Sequence, residues 1–453
     1  MTTDAHRLFS ASVGRTRLGD SATSQLIGRH AVLVSSRDPR SRADHGRITV
    51  LRTALAALAD GFERVSVFHL RPETTPVEDL APNASFDHLE STRPTRLGHA
   101  VRAGVFGHHS LNEVAGIDRT QITGMVEALG RSGVDLFVLD GTRAAAALPA
   151  LGAAPSLVDL DDLLSTRYRA WADLPFDEMP YSIFGTKPAS RANVVARIMR
   201  PLLPAVLRQE ARAVATIERD VASRATAVSL VSAKEAAQFS ARVSRPVDVL
   251  PMAAPSAPLT CWSSPSSPRF DAVFLGRVTH MSNMAALNWL GRKVLPALTH
   301  GLGRAPRIGI AGASTPAVDS WLRSLGLEPL GFVDDLEALF ASAATALAPQ
   351  VAGGGLNTKV LDYAIHGVPV VGSSHAFAGL LHSEECPFDQ ADDPVAFADA
   401  VARLGSDPQH ARESGRAGRE HIEAYYRPTD IKARWTATFA AVIDHSERPN
   451  GSR

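Results

Sequence analysis

The sequence predicts an α/β protein made of two separately wound halves. Three observations carry that reading. Apolar strand-like runs alternate with apolar-periodic helices from His30 to Ser232, a stretch rich in Pro, Ser and Ala runs from Ala254 to Pro268, and the alternation resumes at Ala272. Strands joined through helices pair in parallel, because each crossover returns the chain to the same end of the sheet. With 453 residues the chain can supply two domains of ordinary size, each with its own core.

In the first half, His30–Ser36 is a buried strand and Arg37–His45 a polar loop, followed by a helix over Ile48–Ala59 and a strand over Val65–Phe68. Strand, loop, helix, strand is a βαβ start. Val134–Asp140 forms the next strand and feeds an alanine-rich helix at Thr142, and Ser156–Asp162 is a short strand with an acidic end. The region from Ser165 to Ala215 is helical but interrupted by Pro175, Pro180, Pro188, Pro201 and Pro204, as a cover or contact surface would be. A helix over Gln209–Arg224 and strands over Ala227–Ser232 and Val247–Pro251 complete this half. The expected bounds are a loose tail at 1–28, a first domain at 29–254, a linker at 255–269, a second domain at 270–427 and a final helix at 428–445.

The second half gives strands at Ala272–Leu275, Arg307–Ala311, Thr345–Ala348 and Val368–Val371, with helices at Asn283–Leu298, Ala317–Leu325 and Leu336–Ala341. Helices over Pro394–Leu404 and Pro408–Tyr425 end the domain, and Pro428–Asp444 is amphipathic.

Composition narrows the function. Apolar residues make up 45% and charged residues 21%, as in globular proteins. The 47 Lys and Arg balance the 47 Asp and Glu, so no global field draws in nucleic acid or an anionic membrane. Cys261 and Cys386 form no spaced cluster, which argues against a disulfide framework and a zinc site. No run approaches the roughly 18 apolar residues of a membrane span. The first residues are polar and lack the apolar core of a signal peptide. A cytoplasmic enzyme is the expectation.

The chain is organised around residues Ala348 to Val371. Gly353-Gly354-Gly355 frees the backbone for unusual dihedrals and close approach, Asn357 or Thr358 can cap the next turn, and Lys359, Asp362 and His366 share one helical face. A glycine loop that opens a helix aims unpaired N–H groups and the positive end of the dipole at what lies in front, which suits a phosphate. The plainer alternative is a tight turn with a solvated Lys–Asp pair.

The pattern Pro349, Gly353-Gly354-Gly355, Lys359-Val360-Leu361-Asp362 and Gly367-Val368-Pro369-Val370-Val371 resembles the nucleotide-sugar site of group 1 glycosyltransferases, retaining enzymes of the GT-B fold. The likeness runs from about Phe270 to Tyr426 and is fainter before it. It implies two Rossmann-like doubly wound domains facing a central cleft, with the last helix crossing back to the first domain. The family commonly has two glutamates eight positions apart here; this chain has Gly354 and Asp362. Phe274-Leu275-Gly276-Arg277 resembles the family's Gly-Arg signature, with Ser282 where a lysine five places on is commoner. Ser282 to Leu290 resembles the Asn-containing variant of the family, which singles out Asn283 beside Gly276.

The resemblance implies that Arg277 and Lys359 neutralise a departing diphosphate and that Asp362 binds the donor ribose. Gly353, Gly354, Gly355, Leu356, Asn357 and Thr358 would supply backbone contacts, and the loop Gly331-Phe332-Val333 would read the base edge through Phe332 and Val333. His375–Gly379 either closes over the donor sugar or is an ordinary loop. On the acceptor side the candidates are His45, Gly46, Arg47 and His109, the last in a His108-His109 pair that is a weak metal signal alone. Asp159, Asp161 and Asp162 read equally as an Mg²⁺ site or as caps and surface charge. No cofactor is required; the donor is a nucleotide-diphosphate sugar and the acceptor a glycan, lipid-linked or small-molecule hydroxyl. The implied reaction is a front-face displacement in polysaccharide, glycolipid or glycoconjugate synthesis, in the cytoplasm or at the inner membrane face. The alternatives are a non-catalytic scaffold or regulatory subunit of the same fold, and a nucleotide-sugar epimerase.

Overall fold

The computed structural model describes residues 22, 24–41, 46–69, 80–89, 124–125, 129, 133–176, 200–258 and 260–448. Two parallel sheets dominate it. The first contains β1 (His30–Ser35), β2 (Arg64–His69), β3 (Ala84–His88), β4 (Leu136–Asp140), β5 (Ser156–Asp159), β6 (Ala227–Leu230) and β7 (Asp248–Val249), in the spatial order β3-β2-β1-β4-β5-β6-β7. Helix α1 (Gly46–Gly61) connects β1 to β2; α2 (Leu164–Ala172) and α3 (Leu203–Arg224) follow β5, and α4 (Ala233–Val243) follows β6. All residues of β1, β4 and β5 are buried, as expected of parallel strands covered on both faces.

The second sheet repeats the plan with β8 (Ala272–Leu275), β9 (Ile308–Ala311), β10 (Glu328–Gly331), β11 (Ala346–Ala348), β12 (Val370–Gly372) and β13 (Asp389–Gln390), ordered β10-β9-β8-β11-β12-β13. Its helices are α5 (Met281–Trp289), α6 (Pro316–Ser324), α7 (Leu336–Ala341), α8 (Thr358–Ile365), α9 (Pro394–Ser406) and α10 (Pro408–Tyr425). In both sheets the winding reverses between the first and fourth strands, at β1/β4 and β8/β11. Such switch points leave a crevice beyond the carboxyl ends of the strands, where α/β proteins bind ligands. The fold is the expected α/β pair of doubly wound sheets.

The last helix, α11 (Pro428–Glu447), returns to the first domain. It packs Phe439 edge-on against Phe62 with centroids 6.1 Å apart, and Lys432 bonds Asp60 at 2.5 Å. Arg29 bonds Glu447 at 2.7 Å. No described helix is long and apolar enough to cross a membrane.

Several expectations need correction. The loose tail was expected to reach residue 28, but Leu26 is fully buried and lies against Gly61. The Pro/Ser-rich connection is anchored too: the Trp262 indole donates to the Ala343 carbonyl at 3.0 Å and its backbone N–H to that of His366 at 2.8 Å. Strands β3, β10 and β13 had not been expected, and the helix expected over Asn283–Leu298 widens into a π-turn at Leu290–Val294.

Candidate functional site

The site grows from the β8/β11 switch point. The chain leaves β8 through Gly276, whose φ is +146°. A Cβ there would stand 2.9 Å from Asn283 Nδ2 and 3.4 Å from Lys359 Cε, so glycine lets three elements converge. Asn283, in the first turn of α5, donates from Nδ2 to the Arg277 carbonyl at 2.9 Å and accepts from Lys359 Nζ at 2.8 Å. Arg277 itself is exposed.

Lys359 is buried, with Nζ 4.0 Å from the centroid of the Phe274 ring. Burial lowers its pKa to about 7, against the pull of Asp362. The solvated Lys–Asp pair is therefore not what the fold builds. The ammonium is held by an amide oxygen and an aromatic face, and both leave its charge incompletely compensated. Asp362 is half-buried. His366 turns inward instead, with Nδ1 2.6 Å from the Asp362 carbonyl and its ring edge-on to Phe340.

The glycine loop and α8 supply the other wall. Gly353 and Gly355 have φ of +130° and +75°. Asn357 stands at the N-cap of α8 but makes no capping hydrogen bond, and its Nδ2 is buried without a partner. The cap expected from Asn357 or Thr358 is thus absent, which leaves the first N–H groups of α8 without a side-chain acceptor. Behind the loop, His375 Nε2 lies 3.0 Å from the Gly353 carbonyl, and a Cβ at Gly379 would fall on the Gly355 carbonyl oxygen. His375–Gly379 therefore buttresses the loop. Phe332 is 75% exposed and Val333 half-buried in the loop after β10, next to Gly331 with φ +72°.

The first domain closes on this wall. A Cβ at Gly46, at the start of α1, would meet the Thr358 methyl at 2.7 Å. Two helix N-termini therefore approach across the cleft. Arg47 is not free to contact a ligand: it bonds Asp140, and it pairs with Asp159 at 2.6 Å and Asp161 at 3.4 Å. Burial opposes its charge, and the carboxylates outweigh that and raise its pKa. Arg167 bonds Asp162 at 2.5 Å. The acidic strand end expected as a metal site or as caps is thus partnered by two arginines. His45 and His109 lie outside the described residues.

Two first-domain residues at the cleft were missed. Trp171 of α2 donates its indole N–H to Ser282 Oγ at 3.0 Å, and Glu235 of α4 accepts from the Gly355 N–H at 2.8 Å. For Glu235 a local signal existed, since Ser232 and Glu235 have the spacing of a capping box. For Trp171 there was none.

Comparison with known proteins agrees with this layout. Residues 269–407 match the family model described as glycosyl transferases group 1. No curated protein sequence matches the chain. Among solved structures, sucrose-phosphate synthase from Thermosynechococcus elongatus superposes with a TM-score of 0.58 at 17% identity, covering 89% of this chain and 96% of that one. The Anabaena HepE structure in complex with UDP gives a TM-score of 0.55 at 12% identity, covering 91% and 100%. An E. coli trehalose-6-phosphate structure bound with UDP-2-fluoro glucose gives 0.52 at 13%, covering 93% and 99%. At these identities the likeness is one of fold. The chain has the two-domain GT-B architecture, and its second domain carries the group 1 glycosyl transferase match.

Proposed function

We propose that the protein is a retaining glycosyltransferase that moves a sugar from a nucleoside-diphosphate sugar to an acceptor hydroxyl. The observation that supports this best is the grouping at one switch point of an uncapped helix N-terminus, a buried lysine fixed by Asn283, and the exposed Arg277. A diphosphate lying there receives backbone N–H bonds, the positive end of α8 and two cations. Asp362 takes the donor ribose, and the backbone at Phe332 and Val333 takes the base.

In the reaction the bond from the anomeric carbon to the phosphate oxygen breaks as the acceptor oxygen bonds the same carbon on the same face. The acceptor proton passes to the leaving phosphate oxygen, so configuration is retained without a side-chain nucleophile. The protein neutralises the departing charge and excludes water. Structural neighbours bound with UDP and a UDP-sugar make uridine the first base to try. The acceptor class is a glycan, a lipid-linked sugar or a small molecule, as in polysaccharide or glycolipid synthesis.

Thermal unfolding against UDP, GDP, ADP and CMP tests this. At about a hundred times its dissociation constant, a ligand of the folded state alone stabilises it by roughly 2.7 kcal/mol. A shift with one diphosphate that disappears in Arg277→Ala supports the transferase. No shift with any of them overturns it in favour of a non-catalytic scaffold.

A further inference from the structure

Glu235 is the third residue of α4, whose N-cap Ser232 accepts from the Glu235 N–H at 3.3 Å. From that position a carboxylate ordinarily turns back to its own N-cap N–H. Glu235 instead spans to the other domain, where Oε2 takes the Gly355 N–H at 2.8 Å. The residue is only 5% exposed, its Oε1 is buried without a hydrogen bond of good geometry, and the Leu163 backbone N–H stands close to the carboxyl. A buried, unpaired carboxyl oxygen is costly and calls for an explanation.

That oxygen faces a definite space. A Cβ built on Gly354 would stand 2.6 Å from Glu235 Oε1 and 3.3 Å from Asp162 Oδ2. The volume that a side chain at 354 would fill is therefore bounded by two carboxyl groups of the opposite domain. Two carboxyls this close do not both ionise readily. Burial raises the pKa of Asp162 against the pull of Arg167, and burial and then Asp162 push Glu235 up to about 8. Glu235 is therefore a neutral carboxyl at pH 7, able to donate and accept, beside the Asp162 carboxyl that Arg167 bonds. Such a pair suits neutral hydroxyl groups, which both donate and accept.

We propose that Glu235 is a sugar-binding residue of the donor site, with Oε1 bonding a hydroxyl of the transferred sugar over Gly354. The assignment rests on the donor-site reading above. With the diphosphate at the N-terminus of α8, the attached sugar lies along the glycine loop, against the first domain. The sugar class follows from the chemistry of the pair: a neutral sugar with free hydroxyls fits, whereas a uronic acid would bring a third carboxyl group, itself ionised, beside two buried ones.

Calorimetric titration with UDP and UDP-glucose, and with GDP and GDP-mannose, separates the possibilities. With the nucleotide that binds the wild type, Glu235→Ala is expected to keep the diphosphate affinity within about twofold and weaken the nucleotide sugar about tenfold. Glu235→Gln keeps shape and hydrogen bonding and stays near wild type for both. Glu235→Met, which keeps volume without hydrogen bonding, gives the same reading as alanine if the smaller residue does not fold. Equal weakening of both ligands would make Glu235 a loop-holding residue, and no weakening of either would leave it without a role; both overturn the assignment. A wild type that binds no diphosphate overturns the donor-site reading instead, which is a distinguishable failure.

Discussion

The Lys359 ammonium donates to the Asn283 side-chain oxygen at 2.8 Å, while the amide nitrogen of the same Asn283 donates to the Arg277 carbonyl at 2.9 Å. One amide group therefore fixes the Lys359 ammonium and the backbone of Arg277 in the candidate diphosphate site. Replacing it by Asn283→Ala should weaken diphosphate binding about tenfold, the cost of losing a hydrogen bond to a charged group. Asn283→Asp should weaken it further despite keeping the shape, because the new carboxylate pairs with Lys359 and repels phosphate. Titration of the three proteins with the nucleotide that binds the wild type orders them; an alanine variant that binds like wild type would remove Asn283 from the site.

The buried Lys359, with its pKa lowered to about 7, gives binding a proton signature. Near pH 8 most of the free protein carries the neutral amine, and a bound diphosphate restores the charge. Up to about one proton should be taken up per ligand, read from binding enthalpies in buffers of different ionisation enthalpy. The sign for the unliganded fold follows from linkage. Between about pH 7 and 10 the unfolded chain holds a proton that the folded chain releases, so this group's contribution to stability rises with pH. Lys359→Met should therefore be more stable than wild type below pH 7, with the advantage shrinking toward pH 10, and should take up no proton with diphosphate.

Gly379→Ala tests the buttress behind the loop. Its Cβ would fall on the Gly355 carbonyl oxygen, a backbone atom that cannot rotate away. The expected cost is about 1–3 kcal/mol of stability, with loss of nucleotide binding as the glycine loop shifts. Urea unfolding and titration read both, and an unchanged affinity would show that the loop tolerates displacement.

Glu235 predicts a second pH effect of opposite sign. Burial and the neighbouring Asp162 raise its pKa to about 8, with Arg167 opposing. The folded chain then holds a proton that the unfolded chain loses above its ordinary range, so wild-type stability falls as pH rises from about 5 to 8. Glu235→Gln lacks this group, and its stability relative to wild type should climb by up to about 1.4 kcal/mol per pH unit across that window. A flat difference would mean that Glu235 is ionised in the fold.

The sequence exposed the central strands and the glycine loop for the same reason: their demands are local. A strand buried on both faces must be apolar throughout, and a backbone at positive φ next to a helix start asks for glycine at fixed spacing. Edge strands carry neither signal. Ala84–His88 is mostly exposed, and the residues of Glu328–Gly331 are all half-buried. The opposite wall of the cleft was hidden by distance along the chain. Glu235 reaches Gly355 across 120 positions and Trp171 reaches Ser282 across 111, and no periodicity records such a meeting. Arg47 shows the converse. Its charge was visible and suggested a ligand contact, but its convergence with Asp140, Asp159 and Asp161 is a property of the fold.

The return of α11 to α1 sets a constraint on biosynthesis. The apolar face of α1, with Phe62 just beyond its end, is covered by α11 and its Phe439, which leaves the ribosome long after Phe62. At about 5–20 residues per second, the interval from residue 61 to 428 is roughly 20–70 seconds. Throughout it the amino-terminal half of the nascent chain exposes a sticky helix face whose mate has not been made. The first domain emerges before the second and is completed after it, so its final packing waits until α11 has been synthesised.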